Sequence, residues 1–437
     1  MARWQWILRQ FIRKLWVRAT LIGALGVLAA VAAAVAERYL PWRFSGSIGA
    51  DAVDSILTIM ASSMLAVTTF SLSIMTSAYG SATNTVTPRA TILLIQDSVT
   101  QNALSTFIGS FLFSMVALVV LKVGAYGPQG RSVLFMMTIV VIILVVIALL
   151  RWINHLTLLG RVGETTDRVE QATQAAIDAR LDEPFLGGRE LKDPATDIPD
   201  GAERLHAGVT GYVQYVDMAA LNAQGERSGR DVFVLAIPGM FVYPNSVIAC
   251  LGRASTAGEA TAETLQERIR DAIRIGTRRS YDQDPRFGVV VLSEVAIRAL
   301  SPAVNDPGTA IDVIGRQARL LSKWAEGPRL REDAEPRFNH VHVVALTSRD
   351  LFDDAFRVIA RDGAAFVEIQ LRLQKTFCAL VQMGDDAFRE AARHQSRLAL
   401  TRAEAAMTLE DDKKLVRSVA GSLASCLDHA VSTPAGK

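Results

Sequence analysis

Hydrophobic positions along this chain follow two regimes. Up to residue 150 they run almost unbroken between widely spaced charges; beyond it they recur at short helical or alternating periods. No charged residue lies between Arg18 and Glu37, Asp54 and Arg89, Asp97 and Lys122, or Arg131 and Arg151. These intervals hold 18, 34, 24 and 19 residues. About 20 apolar residues cross the hydrocarbon core, so residues 19–150 are predicted to form four transmembrane helices. The fourth, Ser132 to Leu150, is nearly pure Val, Ile, Leu and Met and lacks the polar face of a soluble helix. The first is Ala-rich and flanked by Trp16 and Trp42, residues suited to the membrane interface. Ahead of it, residues 1–18 set Trp4, Leu8, Phe11, Ile12 and Leu15 on one helical face, with Arg9, Arg13 and Lys14 elsewhere. That pattern predicts an interfacial amphipathic helix leading into a retained span. A cleaved signal is the weaker reading, although Ala34-Val35-Ala36 has the form of a cleavage site.

The second span carries an unusual polar pattern. Ser55, Thr58, Ser62, Thr69, Ser73 and Thr76 are spaced 3, 4, 7, 4 and 3 residues apart, which aligns them along one helical stripe. Such a stripe lines a wet pathway or forms a helix-packing seam, because hydroxyls facing acyl chains need partners. In the third span Thr106, Ser110 and Ser114 repeat every four residues, a small-residue packing pattern. Between these spans, Arg89 and Asp97 are expected at the membrane edge, with Arg89 close to lipid phosphate or to Asp97. No ionisable residue falls inside a span, which argues against a proton relay.

After residue 150 the period changes. Residues 151–180 read as a helix continuing the fourth span, and the Pro/Asp/Gly-rich stretch to residue 200 reads as a linker. Val209–Val216, Asp231–Ile237 and Val247–Leu251 are short β-branched runs bounded by turns, predicting a small β-rich module over 201–255, in the form of a partial barrel. Residues 256–431 are mainly helical, with one more strand in Phe338–Leu346, and 432–437 form a disordered tail. Two helix starts are marked by the same signal, Asp284-Pro285 and Asp306-Pro307, an N-cap acid followed by a first-turn proline. Ser301, Asn305, Asp306 and Thr309 lie around the second start, where helix-end amides either hold a small anion or are simply capped. His340 and His342 share a strand face but have no third ligand near them in sequence, so no metal site is assigned.

Charge sorts with hydropathy. Residues 1–150 hold ten Lys/Arg against four Asp/Glu, whereas the other 287 residues are net acidic. An acidic second half excludes nucleic acid as its partner. Basic residues crowd the leader and the segment after the fourth span, placing both termini in the cytoplasm. Cys250, Cys378 and Cys426 show no paired spacing and fit a reducing compartment. Nucleophile-elbow, zincin, P-loop and dinucleotide signatures are absent from the sequence, so no catalytic residue or cofactor is assigned.

Several stretches resemble a family of bacterial membrane proteins known as domain-of-unknown-function family 2254. They are Thr87-Pro-Arg89 with Asp97 and Gln101, Gly211-Tyr-Val-Gln-Tyr-Val-Asp217, Pro238-Gly-Met-Phe-Val242, and above all Arg298-Ala-Leu-Ser-Pro-Ala-Val-Asn-Asp-Pro307 with Thr309-Ala310. Met240 departs from the pattern, where an acidic residue is expected. The resemblance implies a bacterial inner-membrane location and this architecture, and no activity.

The expected fold is therefore a four-helix transmembrane domain followed by an α+β cytoplasmic domain. Three functional classes fit it. The preferred one is an oligomeric channel- or transport-like protein, with the second-span stripes of several copies around one axis. The alternative is a membrane-anchored sensor or scaffold that binds a cytoplasmic protein or small anion. The third is a membrane-bound enzyme.

Overall fold

The computed structural model describes residues 15–36, 50–95, 97–157, 160–253, 262–329 and 335–431. The expected leader helix and C-terminal tail lie outside these residues, apart from the helical stretch beginning at Leu15. The chain divides into two compact units, Trp6–Thr165 and a unit holding Thr166–Lys437.

The first unit contains α1 (Leu15–Ala36), α2 (Ala50–Thr85), a short α3 (Thr91–Ile95), α4 (Ser98–Lys122) and α5 (Pro128–Leu156). Four of its stretches are long and apolar enough to cross a membrane, and each matches one of the charge-free intervals. Helix α4 is central and packs against α1, α2 and α5. Leu57, Phe107, Phe113, Leu134 and Trp152 fill the shared core. Where α1 crosses α4 the backbones nearly touch: a Cβ on Gly26 would lie 2.8 Å from the Gly109 carbonyl oxygen. Two polar ties add specificity. The Tyr126 hydroxyl donates to the Ala30 carbonyl at 2.7 Å, and the Trp152 indole N–H donates to Ser71 Oγ at 2.9 Å. The hydroxyls of Thr106, Ser110 and Ser114 each donate to the carbonyl four residues earlier, so small size rather than cross-helix bonding suits them to packing.

The continuous helix expected after the fourth span is instead two helices. Helix α5 ends at Leu156 and α6 (Val162–Asp182) begins after Gly160, whose φ of +81° is a left-handed conformation that a helix cannot contain.

The second unit also departs from the expected linker-plus-module plan. Beyond a 3-10 turn at Pro184–Gly187 come β1 (Arg189–Leu191), α7 (Pro194–Asp197), β2 (Glu203–His206), β3 (Gly211–Val216) and α8 (Met218–Ser228). Then follow β4 (Val232–Val234), β5 (Phe241–Val242), β6 (Val247–Leu251), α9 (Ala262–Ala272) and β7 (Ile273–Gly276). The remainder comprises α10 (Pro285–Ala299), α11 (Pro307–Trp324), β8 (Val341–Val344), α12 (Ser348–Asp362), α13 (Val367–Leu380), α14 (Asp386–Ala406) and α15 (Glu410–Val431).

The strands form an open five-stranded sheet, β1-β8-β4-β6-β2, and a three-stranded sheet, β5-β3-β7. In the larger sheet β8 pairs parallel with both β1 and β4, while β6 runs antiparallel to β4 and β2. The supposed linker thus supplies an edge strand, and the β-rich stretch 201–255 is completed by strands from 189–191, 273–276 and 341–344. Val232, Val234, Ile248, Leu251 and Val341 form the buried centre. Among the later helices, Phe352, Phe356, Phe377 and Phe388 are fully buried, with ring centroids 4.9–5.9 Å apart in successive pairs. Helix α6 is joined by ion pairs to α11, where Asp167 and Glu170 meet Arg316 and Glu170 also meets Arg319, and to the segment after α11, where Asp178 and Asp182 meet Arg329.

Candidate functional site

Helix α2 presents Ser55, Thr58, Ser62, Thr69, Ser73 and Thr76 together, and all six are exposed. The face it buries is a different one: Val53, Leu57, Met60 and Met64 enter the core. The stripe is therefore not the packing seam of this chain's own bundle. Ser62, Thr69 and Thr76 donate to the carbonyls of Thr58, Leu65 and Leu72 at 2.9–3.0 Å. These bonds occupy the hydroxyl hydrogens and leave oxygen lone pairs facing outward. From Ser55 to Thr76 the stripe rises about 31 Å, close to the roughly 30 Å of a bilayer's hydrocarbon core. One helix thus carries a row of acceptors about as long as a bilayer's apolar layer is thick.

At one end of the same unit lies a polar knot that sequence reasoning caught only in part. Asp97 caps α4, accepting from the Thr100 amide at 2.7 Å and its hydroxyl at 2.6 Å. His155 of α5 places Nε2 2.9 Å from Asp97 Oδ2, a close contact without hydrogen-bond geometry. Both side chains are buried. The acid expected near Arg89 thus meets a histidine, which a lone His after an apolar span gives no periodic reason to single out. Gln101 donates to the Ile95 carbonyl at 3.0 Å, bracing the α3–α4 corner. Arg89 is exposed in the turn between α2 and α3, with its backbone N–H 3.4 Å from Thr87 Oγ1.

In the second unit the Ser301–Thr309 loop is closed on itself. Ser301 Oγ donates to the Arg298 carbonyl at 2.7 Å, and the Asn305 amide donates to the Ser301 carbonyl at 2.8 Å, with Asn305 at φ +50°. The Asp306 carboxylate accepts from the Thr309 amide at 3.1 Å and hydroxyl at 2.6 Å. The amino end of α11 therefore already faces a carboxylate from its own chain, and those two bonds hold Asp306 below the usual carboxylate range. Asp306→Ala should cost about 1 kcal/mol through the lost cap, read as a small downward shift in the melting temperature of the purified chain. The cap's contribution is present above the unfolded carboxylate pKa and fades as pH falls through the depressed folded value. An unchanged melting temperature would contradict the cap.

The matching start at Asp284 has quite different surroundings. Its carboxylate is 1% exposed, accepts from the Phe287 amide, and takes both arms of the Arg279 guanidinium at 2.8 and 2.9 Å. Arg180, also buried, donates to the neighbouring Gln283 carbonyl. Gly239 closes the chamber: at φ +96° it is left-handed, and a Cβ there would lie 2.4 Å from Asp284 Oδ2. The Pro238-Gly239 turn is thus explained by close approach to a buried acid. Elsewhere Asp231 lies 3.1 Å from His340 Nδ1 and 3.7 Å from His342 Nε2. Among the described residues no set of three or more His, Cys, Asp or Glu is placed to hold a metal ion.

Comparison with known proteins adds kinship. Over 174 residues, 40% of this chain, the sequence is 29% identical to uncharacterized proteins of Mycobacterium bovis and Mycobacterium tuberculosis. The match spans about a third of the length of those curated relatives. No solved structure matches. Residues 12–379 match the family described as "Predicted membrane protein (DUF2254)", a span that takes in the four apolar stretches, both sheets and the Arg298–Pro307 loop, and the chain belongs to that family.

Proposed function

We propose that this membrane protein works as an oligomeric channel- or transport-like assembly, in which α2 of each copy faces a shared water-filled pathway. The unit from Thr166 onward would then act on the cytoplasmic side as the assembly or regulatory part. One observation carries this reading: six hydroxyl side chains occupy a bilayer-length face of α2 that the chain's own bundle leaves uncovered. A face of lone-pair acceptors suits water or a partially dehydrated solute, whereas acyl chains gain nothing from it. The back-bonded hydroxyls of Ser62, Thr69 and Thr76 favour the rival reading, a membrane-anchored scaffold, because they lower the cost of facing lipid.

Cysteine substitution separates the two. In a background without Cys250, Cys378 and Cys426, cysteines at Thr58, Ser62, Thr69 and Ser73 should react with a small water-soluble thiol reagent in membranes. Cysteines at Leu57 and Met64 should stay protected, because these positions enter the core. Only a hydrated thiol forms the reactive thiolate, so alternation near the 3.6-residue period marks one wet face. Uniform protection of all six positions in an oligomeric preparation would remove the channel reading and leave the scaffold.

A further inference from the structure

On the first unit, away from the α2 stripe, a cleft of about 690 Å³ runs between α1, α4 and α5. Its walls are almost wholly apolar. The hydroxyls that reach it, Thr106 and Ser110, are already donated to carbonyls of their own helix. On α5 the lining runs from Met136 to Arg151, about 22 Å of helix, against roughly 15 Å for one leaflet of the hydrocarbon core. One end differs in chemistry. There Arg151 and Asn102 line the cleft, and Arg18 Nη1 donates to Asn102 Oδ1 at 3.2 Å. Arg151 is exposed, and no acceptor among the described residues meets it. The acid on the same side, Asp97, is engaged with Thr100 and His155.

We propose that this cleft is a binding site for one anionic phospholipid, with an acyl chain lying between α1, α4 and α5 and the phosphate at Arg151. The occupant follows from the two ends of the site. A leaflet-length apolar slot in a helix bundle of this composition takes a hydrocarbon chain. A guanidinium at its rim, backed by a second one on Asn102, selects a headgroup with net negative charge. A soluble anion would have no use for the slot, and a second copy of the chain would have to bury Arg151 against an acid.

The test uses the purified full chain, delipidated in detergent and titrated with phosphatidylglycerol or phosphatidylcholine of identical acyl chains, with bound lipid counted by native mass spectrometry. Both lipids offer a phosphate, and the parent should prefer phosphatidylglycerol by about fivefold, because the choline cation of phosphatidylcholine cancels the charge that Arg151 attracts. Arg151→Gln, a change at an exposed side chain, should remove that preference while lipid binding persists. Ala148→Phe, which fills the slot, should reduce binding of both lipids. Equal binding of the two lipids by the parent, or an undiminished preference in Arg151→Gln, would overturn the proposal. So would an Ala148→Phe chain that dissociates an oligomer yet binds lipid as the parent does, since the cleft would then be a subunit contact.

Discussion

Asp284→Ala is expected to be among the most damaging substitutions in the second unit, costing about 3 kcal/mol, because it leaves the largely buried Arg279 guanidinium without its counter-charge. The carboxylate simultaneously caps α10 and holds the Arg279 fork, in a chamber that Gly239 keeps narrow. Burial pushes the Asp284 carboxyl above its usual range against the pull of Arg279, and burial pushes Arg180 down to about 10. The balance at this chamber is therefore between desolvation and pairing, and removing one partner leaves only desolvation. Thermal unfolding of the purified chain should show a drop on the order of 10 °C for the transition of this unit. Arg180→Met should be tolerated far better, since it removes a charge that burial already disfavours and keeps much of the volume. In the Arg180→Met background, Asp284→Ala should cost less than it does alone, because the two sites share one electrostatic field. Equal costs in both backgrounds would show that Arg180 is not part of the cluster.

In the first unit the largest effect is expected at Gly109. A Cβ at this position would meet Ile22 Cγ2 at 2.8 Å and the Ile22 carbonyl oxygen at 3.2 Å. The second neighbour is backbone and cannot rotate aside, so a larger side chain must push α1 off α4. Gly109→Leu should cost on the order of 3 kcal/mol, the upper part of the overpacking range. Within lipid this loss is mainly of close packing, because water release contributes little between membrane helices. Detergent-solubilised protein should melt earlier and aggregate sooner on heating. Gly80 is the internal comparison: it lies in α2 with nothing within 4 Å of a built Cβ. Gly80→Ala should be neutral or stabilising by up to about 1 kcal/mol through helix propensity. A Gly109→Leu protein that melts like the parent would mean that α1 and α4 do not pack through this glycine.

The two aspartates show where sequence reading stops. Asp284-Pro285 and Asp306-Pro307 carry the same local signal, and both do open helices, because N-cap preference depends on a few neighbouring atoms. Their different weights come from residues far away: Arg180 and Gly239 surround the first, while the second sits in an exposed loop bonded within itself. The same division holds for α2. Its hydroxyl stripe was legible as a 3.6-residue pattern, but period says only that residues share a face. The faces of α4 and α5 decide which side is covered, and Leu57 and Met64 lie on it. Asp97 was legible as the acid that opens the third apolar stretch, whereas its contact with His155 required the folding together of segments nearly sixty residues apart.

Sequence by itself determined the features whose physics is local or additive along the chain. These are the four apolar stretches, which follow from summed transfer free energy; the two capped helices; and β3, β4 and β6, which follow from β-branched runs between turns. Tertiary structure alone decided what depends on partners distant in sequence. Strand β1 is three residues with two exposed charges, and it is a strand only because β8, some 150 residues later, offers it an edge. The chamber around Asp284 and the cleft ending at Arg151 are of the same kind. Each exists through the relative placement of elements that individually carry no sign of it, because burial and charge pairing are properties of neighbours in space.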